Sequence, residues 1–476
     1  MQPRRVVRFR HPVRYVVATL LLLAWLFYCL PRTERPQPIP AIPQTETHYG
    51  GCDIDLELLK SYEFGSSIEY ARWEIAVVPS KNFKGFSDTL DVPLPTWQTV
   101  KLDDTEDARK LLPREQCAPT VMIEVPATQP RVDASHLVVG VATSLERLND
   151  SLDAFAIWAG GTNCRIFALV DNVSSGAKNR VLQKASDLDI KLTIIASSEE
   201  LLDRYFSLTR VLLRNRDEKT QWGVIIDDDT FFPSMANLVK RLATYDSSQP
   251  YYIGAPTENF AQMGIFNYMA YGGGGVFLSI PLLEEMDKVF DDCYEFKDMG
   301  DKRVARCIYH HTNTKLTWDH GLFQLDMRDD VSGFFEAGRP LPLSLHHWKS
   351  WFDVDVVAMH KVASICGDDC QLQRWRLTDD SFFVNGFSVI KYSQPMHDML
   401  SMEQTFDDSD WARDEGFAFS LGPLRPKDYD KISFRMRSAI VDGDRVRQLY
   451  IDQPPPELNL KPRVLEVVWS KARGAW

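Results

Sequence analysis

Four short apolar runs between residues 137 and 226 constrain the fold more than any other feature of this sequence. The runs are Leu137–Thr143, Arg165–Val170, Ile190–Ala196 and Trp222–Ile226. An amphipathic stretch follows the first run, and a helical pattern near 198–214 precedes the last. Continuous apolar runs are typical of buried parallel strands, and their alternation with helices predicts right-handed βαβ crossovers. The sequence therefore predicts an α/β fold with a parallel sheet, in which ligands bind at the carboxyl ends of the strands.

Three consecutive aspartates, Asp227, Asp228 and Asp229, stand at such a carboxyl end. Adjacent carboxylates repel one another unless a cation or solvent screens them. Oxygen ligands of this kind suit Mg²⁺ or Mn²⁺, which keep open positions for substrate phosphates. A solvated acidic turn that caps the next helix is the alternative, but the apolar residues on both sides favour a metal site.

Composition and missing motifs exclude several functions. No GxGxxG follows the first run, which disfavours a dinucleotide-binding Rossmann domain, and the absence of GxxxxGKS/T excludes a P-loop. The 54 basic and 66 acidic side chains give a net charge of −12, which argues against nucleic-acid binding through phosphate contacts. With 44% hydrophobic and 25% charged residues, the chain is neither disordered as a whole nor a multi-span channel.

Four glycines, Gly272 to Gly275, precede a further apolar run and form what we call the glycine loop. Such a cluster indicates positive φ angles or a ligand held against bare backbone, with a flexible bulge or hairpin turn as the alternative. Acidic residues, histidines and tryptophans recur downstream, namely Asp301, Asp319, His320, Asp326, Asp329, Asp330, His346 and His347 with Trp318, Trp348 and Trp351. Taken singly, each carboxylate is more typical of the protein surface, and each histidine of a hydrogen-bonded core residue. Their concentration after the glycine loop, beside tryptophans that can stack on sugar rings, indicates a polar binding site.

The N-terminus is typical of a membrane anchor. Residues 1–14 hold five arginines and no acid, so they carry +5 and the remaining residues carry −17. The uncharged run Tyr15–Leu30 spans about 24 Å as a helix, against about 30 Å for a hydrocarbon core, and snorkelling flanks extend short spans. We expect an uncleaved anchor, with a cleaved signal peptide as the alternative. The positive-inside rule then leaves the tail in the cytosol and places residues 31–476 in the lumen or outside the cell.

Seven of the eight cysteines follow the anchor segment, which allows at most three internal disulfides and leaves one thiol. Cys366 and Cys370 match a zinc half-site, but no second pair or histidine cluster of suitable spacing accompanies them. A local disulfide is therefore favoured. Sequons at Asn149 and Asn172 agree with a secretory compartment, although sequons often occur by chance.

The other segments divide the chain coarsely. After the tail (1–14) and the anchor (15–30), the proline-rich residues 31–48 are typical of an extended stalk. Residues 49–136 are mixed and are assigned to a lead-in subdomain. The α/β domain is assigned to 137–400, and 401–476, where apolar and polar residues alternate in places, to a small C-terminal β appendage.

The order of the motifs resembles a known family. A strand–helix start is followed by the three aspartates, Tyr-Ile-Gly-Ala-Pro at 252–256, the glycine loop, GDKRVARCI at 300–308 and His-His-Trp at 346–348. This set resembles the fringe-like glycosyltransferases of family 31, the β1,3-galactosyl/N-acetylglucosaminyltransferase group, and most closely their fungal membrane-anchored members. The resemblance covers roughly 137–352 and is weaker toward the C-terminus.

The resemblance implies a GT-A fold, which is Rossmann-like with a mixed sheet and flanking helices. It also implies a UDP-sugar donor, Mn²⁺ or Mg²⁺ as cofactor, and inversion at the anomeric carbon. The partners are then a glycan or glycoprotein acceptor and, through one N-terminal helix, the Golgi or ER membrane, in a type II orientation.

The same resemblance implies site residues. The metal ligands are Asp229, Asp227 and His346, with His347 as the alternative to His346. Contacts with the nucleotide-sugar are assigned to Thr143, Arg147, Asp227, Asp228, Gly273 and Gly274. For Thr143 and Arg147, a helix cap and a surface arginine are equally good interpretations.

The general base is expected in an acidic pair before a helix that bears a cysteine, which places it at Asp301, upstream of Cys307. The sequence departs from the family pattern here, because Gly300 replaces the usual first acid and Lys302 follows. Three other carboxylates therefore remain candidates, Asp319, Asp326 and Asp329.

These groups predict a mechanism. An acceptor hydroxyl is a poor nucleophile, so a carboxylate must take its proton as it attacks. The leaving diphosphate develops negative charge, which a divalent cation stabilises.

Two other functions remain as alternatives. One is that of a catalytically inactive relative that binds glycan or nucleotide-sugar, suggested by the missing acid at Gly300. Another is a metal-dependent phosphohydrolase, which needs two metals held by several histidines or carboxylates.

Overall fold

The computed structural model describes residues 52–80, 87–102, 109–112, 117, 119–126, 131–171, 174–298, 300–407, 420–472 and 474. The predicted tail, anchor and stalk lie outside these ranges, as does the sequon residue Asn172. In the part of the chain that the structure describes, no helix is both long and apolar enough to cross a membrane.

Strands and short helices alternate along the chain. The strands are β1 Asp53–Asp55, β2 Ser67–Pro79, β3 Ser87–Thr89, β4 Gln98–Lys101, β5 Arg109–Leu111, β6 Val121–Val125, β7 Leu137–Thr143, β8 Arg165–Val170, β9 Lys191–Ala196, β10 Trp222–Ile226, β11 Tyr252–Gly254, β12 Val276–Ser279, β13 Leu316–Trp318, β14 Arg328–Asp329, β15 Arg374–Arg376, β16 Ser381–Val384, β17 Ser388–Lys391, β18 Met402–Glu403, β19 Phe406–Asp407, β20 Leu424–Arg425, β21 Ile432–Asp442, β22 Arg445–Asp452 and β23 Arg463–Lys471. The helices are α1 Leu56–Lys60, α2 Leu145–Trp158, α3 Ser175–Asp187, α4 Leu201–Arg214, α5 Met235–Leu242, α6 Phe260–Phe266, α7 Ile280–Lys288, α8 Phe290–Tyr294, α9 Gly300–His311, α10 Ser332–Glu336, α11 Val356–His360 and α12 Ala363–Cys366.

A mixed sheet carries the candidate site. Among the described residues it has seven strands in the order β13-β11-β12-β10-β7-β8-β9. Strands β7 to β10 are parallel, which confirms the prediction from the four apolar runs, and β12 runs antiparallel to β10. Val139 of β7 belongs to the core cluster that contains Phe155 of α2, whereas Val138 belongs to the cluster of Leu208 on α4. Helices therefore cover both faces of the sheet, and β10 is buried along its whole length.

A second sheet joins both ends of the described chain. Its order is β3-β15-β16-β17-β21-β22-β23-β2-β4, with β6 also paired to β2, which makes ten strands within the described ranges. Strand β2 of the expected lead-in subdomain pairs in parallel with β23 of the expected C-terminal appendage, from Glu69 opposite Arg463 to Val77 opposite Lys471. The C-terminal strands share this sheet with β2, and Trp73 of β2 belongs to the same apolar cluster as Tyr450 of β22 and Trp469 of β23.

Disulfides agree with the cysteine count. Three bonds join Cys52 to Cys117, Cys293 to Cys307 and Cys366 to Cys370. The local disulfide that was favoured over a zinc half-site is confirmed. Cys164 is the free thiol of the described residues, and burial raises its pKa to about 12.

Candidate active site

A carboxylate and two histidines meet at the carboxyl end of β10. Ligand atoms of Asp229, His346 and His347 all lie within 4.8 Å of one another, and all three side chains are buried. His346 Nε2 lies 3.0 Å from Asp229 Oδ1 and 3.5 Å from Asp227 Oδ2. The structure therefore brings together the residues that the resemblance assigned to the metal, the alternative histidine included.

An isolated β-bridge between Phe231 and Leu345 positions the two parts of this cluster. Each residue donates its backbone N–H to the carbonyl of the other over 2.8 Å. Phe231 follows the three aspartates by two residues and Leu345 precedes His346, so the bridge sets the histidine beside the aspartates. Both bridge residues are fully buried, which holds the two segments in register.

The imidazole of His346 is oriented from both sides. Its Nδ1 lies 2.9 Å from the carbonyl oxygen of Gln324, which fixes Nδ1 as the donor and turns Nε2 toward the aspartates. Metal-binding histidines usually have such a partner on the second ring nitrogen. Burial alone would lower the pKa of His346, but the hydrogen bond to Asp229 and the charges of Asp229 and Asp227 raise it to about 9. The negative charge of the two aspartates thus favours a positively charged group at this position.

The pKa values of Asp229 and Asp227 are shifted in opposite directions. Burial would raise the pKa of Asp229, but the hydrogen bond and charge of His346 hold it well below its usual range. Asp227 keeps 40% of its side chain exposed, yet loss of water around the carboxylate, reinforced by Asp229 and Asp301 and opposed by His346, raises its pKa to about 7. Oxygen and imidazole donors with this excess of negative charge fit a divalent cation.

Asp228 serves a different purpose from its two neighbours. Its carboxylate accepts two hydrogen bonds from Arg147, at 2.7 Å and 2.5 Å, and one from the hydroxyl of Thr143. Lys349 Nζ lies 3.4 Å away. Three of the six residues assigned to the nucleotide-sugar, Thr143, Arg147 and Asp228, are therefore bound to one another. The cap of α2 is Ser144, whose Oγ accepts the N–H of Arg147, and not Thr143.

The glycine loop packs closely against side chains of the site. Gly272–Gly274 forms a 3₁₀ turn, and Gly275 has φ +89°. A Cβ at Gly273 would overlap the imidazole ring of His346, and a Cβ at Gly272 would overlap the hydroxyl of Tyr205 and approach Asp227 Oδ1 to 2.8 Å. The bare backbone at these two positions thus makes room for site residues of this chain. The backbone N–H of Gly274 donates to Gln324 Oε1 over 3.0 Å.

Asp301 lies in the first turn of α9, against the glycine loop. Its carboxylate accepts the backbone N–H of Lys302 at 2.9 Å and hydrogen-bonds the backbone of Gly272. Burial raises the pKa of Asp301 to about 6, although these backbone contacts favour the charged form. A carboxylate with this pKa is ionised at neutral pH and still a better base than an exposed one.

Gly300 leaves space that Tyr205 of α4 occupies. A Cβ at Gly300 would lie 2.5 Å from Tyr205 Cγ, so the tyrosine ring fills the position of any side chain there. Tyr205 Oη is buried without a hydrogen-bond partner, and burial together with the charges of Asp301 and Asp227 raises its pKa well above the usual value. Tyr205 is a residue of the site that the sequence did not indicate.

The three alternative candidates for the general base lie in environments that differ from that of Asp301. Asp319 is buried, and its carboxylate accepts the hydroxyl of Tyr245 at 2.9 Å and the N–H of Gly321 at 2.9 Å. Asp326 is buried beside His347, with Nε2 3.3 Å from Oδ1. Asp329 is exposed in β14.

The sequence did not indicate Glu258, and it indicated Trp351 only as one of several tryptophans near the histidines. Glu258 is buried, and its carboxylate accepts the backbone N–H groups of Gln324 and Asp326 at 3.0 Å and 3.1 Å, which holds the segment that orients His346. Trp351 stacks on His347 with ring centroids 3.8 Å apart and 5° between the planes. The tryptophan beside the two histidines was a visible signal, whereas an isolated glutamate offered none.

Comparisons with known proteins point to one class, the glycosyltransferases. Residues 262–365 match a family model described as a protein of unknown function, DUF604. A stretch of 144 residues is 36% identical to the β-1,3-glucosyltransferases of Homo sapiens and Mus musculus. That stretch is 30% of this chain and 28% of either relative, so the chain spans less than a third of their length. These relatives are mammalian, and the expected likeness to fungal members stays a prediction.

Solved structures of glycosyltransferases share only a part of the architecture. The glycosyltransferase GlyE of Streptococcus pneumoniae has a TM-score of 0.30 at 12% identity over 45% of this chain and 56% of its own. Mouse xyloside xylosyltransferase 1 has a TM-score of 0.27 at 9% identity over 40% of this chain and 85% of its own.

Proposed function

We propose that this protein is a metal-dependent inverting glycosyltransferase that moves a hexose or N-acetylhexosamine from a UDP-sugar to a glycan or glycoprotein acceptor. The observation that carries the proposal is the cluster of Asp229, His346 and His347 at the end of β10, with the half-buried carboxylate of Asp301 across the glycine loop. The similarity of 144 residues to β-1,3-glucosyltransferases supports glycosyl transfer. The GT-A type of fold is part of the proposal, and the mixed α/β sheet agrees with it.

Asp229 and His346 are the proposed ligands of Mn²⁺ or Mg²⁺, with Asp227 and His347 beside them. When bound, such a cation supplies positive charge to the diphosphate of the donor. Gln324 keeps His346 in the tautomer that offers Nε2. Arg147 and Lys349 carry positive charge at the edge of the same group, held by Asp228, and we propose that they face the nucleotide.

Asp301 is the proposed general base. Its carboxylate takes the proton of the acceptor hydroxyl as the hydroxyl oxygen forms the bond to the anomeric carbon and the bond to UDP breaks. One displacement from the face opposite the leaving group inverts the anomeric centre. Asp301 is half-buried, and its pKa of about 6 leaves it ionised at neutral pH, whereas Asp319 is held by Tyr245 and Asp329 is exposed to solvent.

The compartment belongs to the proposal as well. Five arginines before the apolar run Tyr15–Leu30 support a single-pass type II anchor with the catalytic residues in the lumen of the Golgi or the ER. Three disulfides among the described residues agree with an oxidising compartment.

The test incubates the purified full chain with Mn²⁺ and a panel of UDP-sugars and measures UDP release and UDP binding. We expect one donor to be turned over, and Asp229→Asn to lower kcat/KM by about a hundredfold or more. The matched control is Asp291→Asn, since Asp291 is 90% exposed and far from the cluster in the sequence; it should keep full activity.

The alternatives give different results. Failure of the wild type to bind any UDP-sugar or UDP would overturn the transferase proposal. Binding of UDP without transfer to any acceptor would identify an inactive relative. Release of inorganic phosphate from UDP would identify a phosphohydrolase, which would need a second metal; the described residues hold one group of three ligands.

A further inference from the structure

A cavity of about 430 Å³ lies between α9 and the segment that leads from α6 into the glycine loop. Its walls are formed by Phe266, Asn267, Met269, Asp298, Lys302, Ala305, Arg306, Tyr309 and His310. None of these residues belongs to the metal cluster. Its volume falls within the range of ordinary small-molecule sites, about 300–1,000 Å³.

The cavity shares a helix with Asp301. Lys302, the next residue, lines it, and Ala305 lies one helical turn after Asp301 on the same side of α9. At a rise of about 1.5 Å per residue, Ala305 stands about 6 Å from Asp301 along the axis of α9. The opposite wall is tied to α9, because Tyr309 Oη donates to the carbonyl of Tyr268 over 2.8 Å.

The lining combines apolar surface with a few polar groups. Phe266, Met269 and Tyr309 supply aromatic and apolar faces, while Asn267 and His310 supply hydrogen-bonding groups. Such a combination is typical of sites that bind an uncharged polar ring. Asn267 ends α6 at the cavity wall with φ +73° and ψ 175°, a backbone conformation that residues other than glycine rarely adopt.

The charges of the cavity are largely paired within it. Asp298 accepts Arg306 Nη1 at 2.7 Å and lies 3.8 Å from Lys302 Nζ. Lys302 Nζ also stands 5.8 Å from the centre of the Phe266 ring. A phosphate or sulfate site would present free cations, whereas here both cations stand against Asp298, and the amide of Asn267 and the imidazole of His310 can bind hydroxyl groups.

We propose that this cavity binds the acceptor and that its ligand is a neutral sugar ring, whose hydroxyl is thereby presented to Asp301. The proposal rests on the proposed glycosyltransferase function and adds the place and class of the acceptor. Ile265 and Tyr268 on the adjoining segment are 54% and 44% exposed. This apolar rim accommodates the group to which the acceptor sugar is attached.

The test compares two adjacent histidines of α9. His310 lines the cavity and His311 does not, although both are exposed. Saturation-transfer NMR on the full chain with Mn²⁺ and UDP would measure binding of methyl glycosides of glucose, galactose and N-acetylglucosamine. We expect at least one to bind the wild type, and His310→Ala to weaken it about tenfold while His311→Ala changes it less than twofold.

A second variant of the cavity lining tests the proposal independently, in case His310→Ala does not fold. Asn267→Gly removes the amide but accepts the positive φ, and it should also weaken glycoside binding about tenfold. UDP affinity and the slow release of UDP from the donor without acceptor should be unchanged in all three variants. A wild type that binds UDP but no glycoside, or lining variants that leave glycoside affinity unchanged, would overturn the acceptor assignment. Absence of UDP binding would instead overturn the proposed function.

Discussion

His346 places Nε2 3.0 Å from Oδ1 of Asp229, a residue 117 positions earlier in the chain. The β-bridge of Phe231 and Leu345 brings the two segments together, and the carbonyl of Gln324 turns the ring toward the aspartates. In this structure the imidazole and the carboxylate satisfy each other as an ion pair. A divalent cation would replace the proton of His346 and take both as ligands.

Gly273 is required for this arrangement, because a Cβ there would overlap the His346 ring. We expect Gly273→Ala to lower the affinity for Mn²⁺ at least tenfold, measured by isothermal titration calorimetry. Gly264→Ala is the matched control, since nothing lies within 4 Å of its Cβ position. Equal Mn²⁺ affinity in the two variants would show that His346 is not a ligand.

The pKa of Asp301, raised to about 6, predicts the acidic limb of the pH–rate profile. A base must be ionised, so kcat/KM should fall about tenfold per pH unit below about pH 6 and level off above it. Asp301→Asn should lower kcat by about 10²–10⁴-fold, whereas Asp329→Asn should not change it. Full activity of Asp301→Asn would place the base elsewhere, with Asp326 as the next candidate.

Tyr205 and Gly300 should be coupled in stability, since the tyrosine ring fills the Cβ position of the glycine. Gly300→Ala should lower the free energy of unfolding by about 1–3 kcal/mol through overpacking. In a Tyr205→Ala background the same change should cost much less, because the ring is gone. Gly176→Ala, also in the first turn of a helix but with its nearest neighbour at 3.9 Å, is the control. Additive effects of the two changes would contradict the contact.

Glu258 should make stability depend on pH. Burial and the charge of Asp326, opposed by backbone N–H groups, raise its pKa in the folded protein to about 7, above the value of about 4.3 expected for an unfolded chain. The folded state therefore holds the proton more tightly, and its contribution to stability is complete below about pH 4.3. That contribution is lost as pH rises, by up to about 1.4 kcal/mol per unit until about pH 7.

Thermal unfolding of Glu258→Gln checks this sign. The variant should lose less stability between pH 5 and pH 7 than the wild type, because the raised pKa values of Asp227 and Asp301 still act there, while the two proteins respond alike above pH 8. A wild type that gains stability relative to the variant over that interval would mean that Glu258 is ionised in the folded protein at low pH.

The sequence by itself determined the elements whose cause is local. The apolar runs that became β7 to β10 and the helix pattern of α4 are set by hydrophobic periodicity. The position of the three aspartates at the carboxyl edge of the sheet was predictable, because they directly follow the apolar run that forms β10. The cysteine count alone limited the disulfides to three and left one thiol, as observed.

The tertiary structure decided what depends on residues far apart in the chain. Pairing of β2 with β23, nearly four hundred residues later, buries the C-terminal strands, and no local pattern specifies that partner. Asp228 is chemically identical to its neighbours, but its carboxylate accepts hydrogen bonds from Arg147 and Thr143, whereas the carboxylate of Asp229 contacts His346. Neighbours in space set burial, charge and hydrogen bonding, and these decide what each of three equal carboxylates can do.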